Sequence, residues 1–165
     1  MMDGGSWNAA FLDLDSVGRA DLDMAMLTSA VDSWQWHGLV SAKELAEVLA
    51  DVDVVVSNKV VLNDQYLSEA KRLKLVCVAA TGTNNIDLAS AARNNITVCN
   101  VRGYATASVV QHVFSLLLAL TTRLFEYTDA VNRGEWSRSR FFCLLDYPVR
   151  ELAGKTIGIV GYGEI

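Results

Sequence analysis

The 165-residue chain has one proline, three cysteines, two histidines and no long run of a single charge. Each shortage excludes something. With Pro148 alone and 52% hydrophobic against 20% charged residues, the composition is that of a packed protein rather than a disordered segment. Cys77, Cys99 and Cys143 are odd in number and far apart, which excludes a paired disulfide framework and metal-ligand spacing. They read as reduced thiols of a cytoplasmic protein, with Cys77 and Cys99 expected in the core. The formal charge is −5 and no Lys/Arg run exceeds Lys71-Arg72, so the chain lacks the basic face that nucleic acid requires. The start, "MMDGGSWNAAFLDLD", has no basic segment followed by an apolar one, and no signal peptide is expected. The most apolar stretch, "VVQHVFSLLLAL", is interrupted by Gln111, His112 and Ser115 and falls short of the roughly 20 apolar residues of a membrane span. It is expected to be a buried helix, and no membrane partner is expected.

What is present is an alternation of short apolar runs with helix-period segments, the pattern of β/α units around a parallel sheet. "AAFLDLD", "DSWQWHG", "DVVVSNKVV", "KLVCVAAT" and "ITVCNV" read as five strands. "ADLDMAMLTSAV", "SAKELAEVLADV", "NDQYLSEAKRL" and "DLASAARNN" read as the helices between them, the second opened by Ser41 with Glu44 at capping-box spacing. Five strands in about 100 residues predict a flavodoxin-like sandwich over residues 1–101.

Residues 105–132 contain neither glycine nor proline and carry helix-spaced apolar positions from Val109 to Tyr127. One helix of that length would span about 40 Å. Gly134 is its expected stop, and "EWSRSRFFCLLDYPVREL" reads as an irregular aromatic arm, so that 102–153 forms a helix and arm. The remaining residues, 154–165, predict a new strand, "KTIGIVG", at the start of a second α/β domain.

Four stretches can carry chemistry. Gly161 and Gly163 follow the last strand as G-x-G, where one glycine permits a tight turn and the next lets the backbone approach a pyrophosphate. A tight turn without function fits this half-motif too; a third glycine would fall at position 166, beyond the sequence. Thr81-Gly82-Thr83 lies at the carboxyl end of the fourth strand, the sheet edge where open α/β sheets bind ligands, and its N–H groups suit a small carboxylate. The alternative is a glycine turn capped locally by Asn84 or Asn85. Lys59, at the end of the third strand, could add a positive charge to that edge or be merely solvated. In "NVRGYATASVVQH", Thr106 or Ser108 can cap the long helix or point a hydroxyl into a cleft. Neither His37 nor His112 has a locally spaced acid to orient it, so neither is expected to be catalytic.

With these stretches placed, the chain resembles the N-terminal half of the D-isomer-specific 2-hydroxyacid dehydrogenases, nearest to the glycerate dehydrogenase or hydroxypyruvate reductase branch. The resemblance rests on the ordered set "SNKVVL", "AATGTNNID", "NVRGYATASVVQH", "LLLAL", "NRGEW" and "FFCLLDYPVRELAGKTIGIVGYGEI". It implies a flavodoxin-like substrate domain, closed off by a C-terminal segment of the chain, a Rossmann domain inserted after it, and a two-fold homodimer built by the helix around 105–133. It implies that Thr81, Gly82 and Thr83 hold a substrate carboxylate, that Lys59 lines the pocket, that Thr106 and Val109 pack by the nicotinamide, and that Gly161, Tyr162 and Gly163 form the phosphate-binding turn of NAD or NADP. Arg102-Gly103 departs from the proline-glycine pattern frequent in relatives, which leaves Arg102 without a role. The implied chemistry is hydride transfer between NAD(P)H and a small 2-oxo acid, with an imidazole acid/base, its glutamate and a clamping arginine, all expected beyond residue 165. The chain alone is therefore expected to be inactive. The rival expectation is a non-enzymatic dimerising or anion-binding module. A receiver domain is disfavoured because Ser57-Asn58 stand where a phosphoacceptor aspartate belongs; the acidic pair Asp13 and Asp15 after the first strand is receiver-like, but a solvated strand end explains it equally well, and "LDSVGRADL" lacks the hydroxyl-rich loop of a flavin site.

Overall fold

In the computed structural model, which describes residues 6–18, 22–161 and 163, the chain divides into two compact units that meet at Arg102 and Gly103. The first holds five parallel strands: β1 (Asn8–Phe11), β2 (Ser33–Trp36), β3 (Val54–Ser57), β4 (Leu75–Val78) and β5 (Thr97–Asn100). Their order is β2-β1-β3-β4-β5, the doubly wound flavodoxin-like order expected from the sequence.

Connections between parallel strands must cross over a face of the sheet, and here they use four short helices: α1 (Met24–Thr28), α2 (Leu45–Asp51), α3 (Asp64–Glu69) and α4 (Leu88–Arg93). Three of the four take a side-chain cap. Asp23 accepts the Ala25 N–H, Asn63 that of Tyr66 and Asp87 that of Ser90, which satisfies donors that helix ends leave open. The expected box before α2 is half formed: Glu44 accepts from the Ser41 N–H at 3.2 Å and from its hydroxyl at 2.6 Å, so the hydroxyl donates instead of accepting.

The alternation of β-residues assigns the two faces. Ala10, Val55, Val76 and Val78 point to one, where Leu12, Leu49, Leu62 and Leu67 complete the main core. Burial of each such leucine contributes about 2 kcal/mol. The other face carries, in register, Trp36, Phe11, Val56, Cys77 and Cys99. Phe11, Leu14 and Val56 form a small cluster there with Met24 and Leu27 of α1. That face is thinly covered, so Cys77 is only half-buried and Cys99 is exposed, against the expectation that both are core residues.

The second unit corrects the single long helix. It has α5 (Thr106–Thr121) and α6 (Leu124–Asn132), bent by 61° at the break, then α7 (Glu135–Arg138). Thr121 and Thr122 turn their hydroxyls back on the carbonyls of Leu117 and Leu118 at 2.8 and 2.7 Å, and Arg123 then takes the left-handed conformation (φ 55°). No glycine or proline marks the site. Gly134, also left-handed at φ 74°, ends α6 as expected, its N–H donating to the Val131 carbonyl. Nor is α5 a buried helix in this unit: only its Ala119 is buried, and Leu120 is 67% exposed. No single helix of the described residues is long and apolar enough to cross a membrane.

The arm folds back on α6 through Tyr127, whose hydroxyl donates to the Tyr147 carbonyl at 2.7 Å and whose ring meets that of Tyr147 edge-on. Residues 155–161 do not form the expected strand. A parallel strand exists only through its ladder, and among the described residues none pairs with it; Ile159 and Val160 stand exposed.

Candidate functional site

In a β2-β1-β3-β4-β5 sheet the winding reverses between β1 and β3, and the crevice beyond the carboxyl ends of those strands is the usual place for a ligand. Here an internal carboxylate occupies it. Asp13, just past β1, is fully buried and accepts the N–H of Asn58 at 2.9 Å, that of Val60 at 3.2 Å and that of Lys59 in a very short bond. A charge without water needs such donors, and a turn of successive N–H groups supplies them. Of the two explanations of the acidic pair, the solvated strand end fails for Asp13, while Asp15, two residues on, is exposed. The anion cradle at the end of β3 is filled by the protein itself.

One strand further, the edge is open. Thr81, Gly82 and Thr83 follow β4, with Gly82 exposed and the two threonines half-buried. Their N–H groups and hydroxyls donate to no acceptor among the described residues. The carbonyls of Ala80, Thr81 and Thr83, by contrast, are engaged. Asn100 of β5 donates through Nδ2 to the Thr81 carbonyl at 2.7 Å, Val101 N–H to that of Ala80 at 3.1 Å, and Ile86 N–H to that of Thr83 at 2.9 Å. The flanking acceptors of Thr81 and Thr83 are thus tied down while the N–H donors stay available, a polarity that suits an anion. Asn84 is not a cap, and its Oδ1 would stand 3.1 Å from a Cβ on Gly82. Asn85 does fasten something, but it is the neighbouring loop: its Nδ2 donates to the Val60 carbonyl at 3.1 Å and its carbonyl accepts the Leu62 N–H at 2.9 Å.

These bonds bring the loop of Lys59 to the loop of Thr81–Thr83. Lys59 has its backbone fixed by Asp13 while the residue as a whole is exposed, on the sheet edge where it was expected. The sequence reading missed Asp13, Asn85 and Asn100 as organisers of this edge. Asn100 was legible in principle, because an asparagine closing a β-branched strand at a ligand-binding edge is out of place as a core residue.

The remaining candidates belong to the second unit. Thr106 and Val109 sit in the first turn of α5, half-buried and 37% exposed. The N-cap is Ala105, which has no side-chain cap. Gly161 has φ 105°, a conformation only glycine adopts readily, and a Cβ on Gly163 would meet nothing within 4 Å. Tyr162 lies outside the described residues. His37 keeps a buried Nε2 with no partner and His112 is exposed on α5, so neither is held by a carboxylate as a catalytic base would be. No cluster of three metal-ligating side chains occurs among the described residues.

The sequence model of the D-isomer specific 2-hydroxyacid dehydrogenase catalytic domain matches residues 14–153. The chain belongs to this family. Glycerate dehydrogenase of Methylorubrum extorquens is 42% identical over 131 residues, covering 79% of this chain and 42% of that protein. Hydroxypyruvate reductase of Blautia hydrogenotrophica is 35% identical over 127 residues, covering 77% and 39%. The family member thus spans about two fifths of the length of these relatives. Among solved structures, D-lactate dehydrogenase of Aquifex aeolicus, complexed with NAD and lactic acid, superposes with a TM-score of 0.64 at 25% identity, over 80% of this chain and 39% of that one. The 2-hydroxyacid dehydrogenase of Ketogulonicigenium vulgare, at 18% identity and a TM-score of 0.66 over 87% and 43%, shares the fold.

Proposed function

We propose that this chain is the substrate-binding part of an oxidoreductase that interconverts a small D-2-hydroxy acid and its 2-oxo acid, of the glycerate and hydroxypyruvate type. The observation that carries the reading is the loop at Thr81–Thr83, whose N–H groups donate to no acceptor among the described residues, next to the loop of Lys59. A 2-oxo acid presents a carboxylate and an adjacent carbonyl, and three free N–H groups with one ammonium bind and orient such a group. NAD or NADP, when bound, supplies or accepts the hydride. Gly161, Tyr162 and Gly163 would hold its phosphates, and Thr106 and Val109 would pack by its nicotinamide. The proton step needs an oriented imidazole. Neither histidine of this chain offers one, so the 165 residues alone bind the acid without turning it over.

Titration of the isotope-labelled chain with hydroxypyruvate tests this. The amide signals of Thr81, Gly82 and Thr83 should shift saturably, Lys59→Ala should weaken the response several-fold, and NADH in the same tube should stay unoxidised. Signals that do not move at millimolar acid would overturn the carboxylate reading.

A second role is supported by α5, where Val113, Leu116 and Leu120 form an exposed apolar stripe at helical spacing. Such a stripe supports pairing of two copies. Sedimentation over a range of concentrations should show a dimer that Val113→Glu with Leu120→Glu converts to monomer; a well-folded monomer at all concentrations would count against it.

A further inference from the structure

Cys77 of β4 and Cys99 of β5 are register partners in neighbouring parallel strands, so both side chains leave the same face of the sheet. We propose that they form a reversible redox-modification site, a dithiol that a hydroperoxide converts to a cross-strand disulfide. Partners in adjacent strands stand about 4.8 Å apart, inside the range of roughly 4.4–6.8 Å that disulfide Cα atoms occupy. Side chains that leave the sheet in parallel keep their Cβ atoms about that far apart, wider than the 3.8 Å or so a relaxed disulfide prefers. One strand must therefore yield. β5 can, because it is the edge strand, with no neighbour on its outer side among the described residues. A bond closed against such resistance is readily reduced, which is what separates a regulatory disulfide from a structural one.

The two thiols have different roles. Cys99 is exposed and meets the oxidant first; Cys77 is half-buried, and burial, with the neighbouring Cys99, pushes its thiol up and keeps it protonated until needed. The Cys99 thiolate attacks one oxygen of the hydroperoxide, the O–O bond breaks, and the remainder leaves as an alcohol, or as water from hydrogen peroxide, while Cys99 becomes a sulfenic acid. Cys77 then loses its proton and its Sγ attacks the Sγ of Cys99, whose hydroxyl departs with a proton as water. Two thiols have lost two electrons, and the hydroperoxide has gained them. Cys143 lies in the other unit, outside the five strands, with no register partner among the described residues, and serves as internal control.

The first arm of the test uses the unaltered chain. The reduced 165-residue chain, exposed to hydrogen peroxide, should fall from three titratable thiols to one, lose the mass of two hydrogens, yield a linked Cys77–Cys99 peptide, and recover on addition of a dithiol reductant. In Cys77→Ser, Cys99 should instead accumulate a sulfenic acid that a dimedone probe traps. Oxygen added to Cys99 with Cys77 still free, chains linked to one another through Cys99, or three surviving thiols would each overturn the proposal.

Discussion

The carboxylate of Asp13 accepts the backbone N–H of Asn58 across 45 residues of sequence, and with the N–H groups of Lys59 and Val60 it ties the end of β1 to the turn after β3. Charge-assisted bonds of this kind contribute about 1.5–3 kcal/mol each when buried, and removing the acceptor strands the donors. Asp13→Asn keeps the shape but turns an N–H₂ toward N–H groups. The urea midpoint should drop by the equivalent of about 2–3 kcal/mol with an unchanged slope, and an unaltered midpoint would refute the assignment.

At the opposite edge of the sheet, Asp53 makes stability depend on pH. Burial by itself would raise its carboxyl, but the Asn8 N–H, Arg72 at 2.9 Å and Lys74 at 3.3 Å outweigh burial and hold it below the ordinary value. A depressed folded-state pKa means that its stabilisation is complete above the unfolded value, about 4, and drains away as pH falls through the folded one. Urea midpoints measured downward from about pH 6 should therefore fall below pH 4 in the wild type. In Asp53→Asn the midpoint should start lower and fall less over that window. Parallel curves would show that Asp53 is not the group responsible.

What the sequence made legible, and what it hid, follows from where the information lies. The five strands could be read because each is a short run between helix signals, β-branched in β3, β4 and β5, and Val54, Val55 and Val56 have no other sensible place. The loop at Thr81–Thr83 could be read because glycine at a strand end is a local signal. Asp13 could not: its partners at 58–60 are far along the chain, and an acid beside an apolar run looks the same whether solvated or buried. The break between α5 and α6 was equally silent, since two threonines and an arginine are ordinary helix residues until their hydroxyls compete for the carbonyls of the preceding turn.

That break can be probed at Arg123, held at φ 55° and ψ 39°. The left-handed region costs a residue with a Cβ about 1–2 kcal/mol, which glycine does not suffer. Against this, glycine adds freedom to the unfolded chain, and the exposed pair of Arg123 with Glu126 at 3.1 Å is lost, each a few tenths of a kcal/mol or more. Arg123→Gly should leave thermal stability unchanged or raise it by up to about 1 kcal/mol, while Arg123→Val should lower it by a similar amount. Two variants that destabilise equally would mean that the side chain, not the backbone conformation, holds the corner.

The most direct probe of the proposed site is Asn100, which does not itself offer a donor to the acid. Its Nδ2 holds the Thr81 carbonyl at 2.7 Å, which fixes the peptide group that carries the Gly82 N–H. It is exposed, so Asn100→Ala should change stability by less than about 0.5 kcal/mol. Loss of one positioning hydrogen bond, about 0.5–1.5 kcal/mol, should weaken hydroxypyruvate binding by roughly 2- to 12-fold. Asn100→Asp sharpens the test, because its carboxylate would face the same carbonyl and the incoming anion, and binding should fall further than in the alanine variant. The outcome to watch is the separation of affinity from stability. If both variants bind hydroxypyruvate as the parent does, the loop is rigid without Asn100; if both unfold the domain, Asn100 belongs to the core of the sheet edge and its part in positioning Thr81 fails.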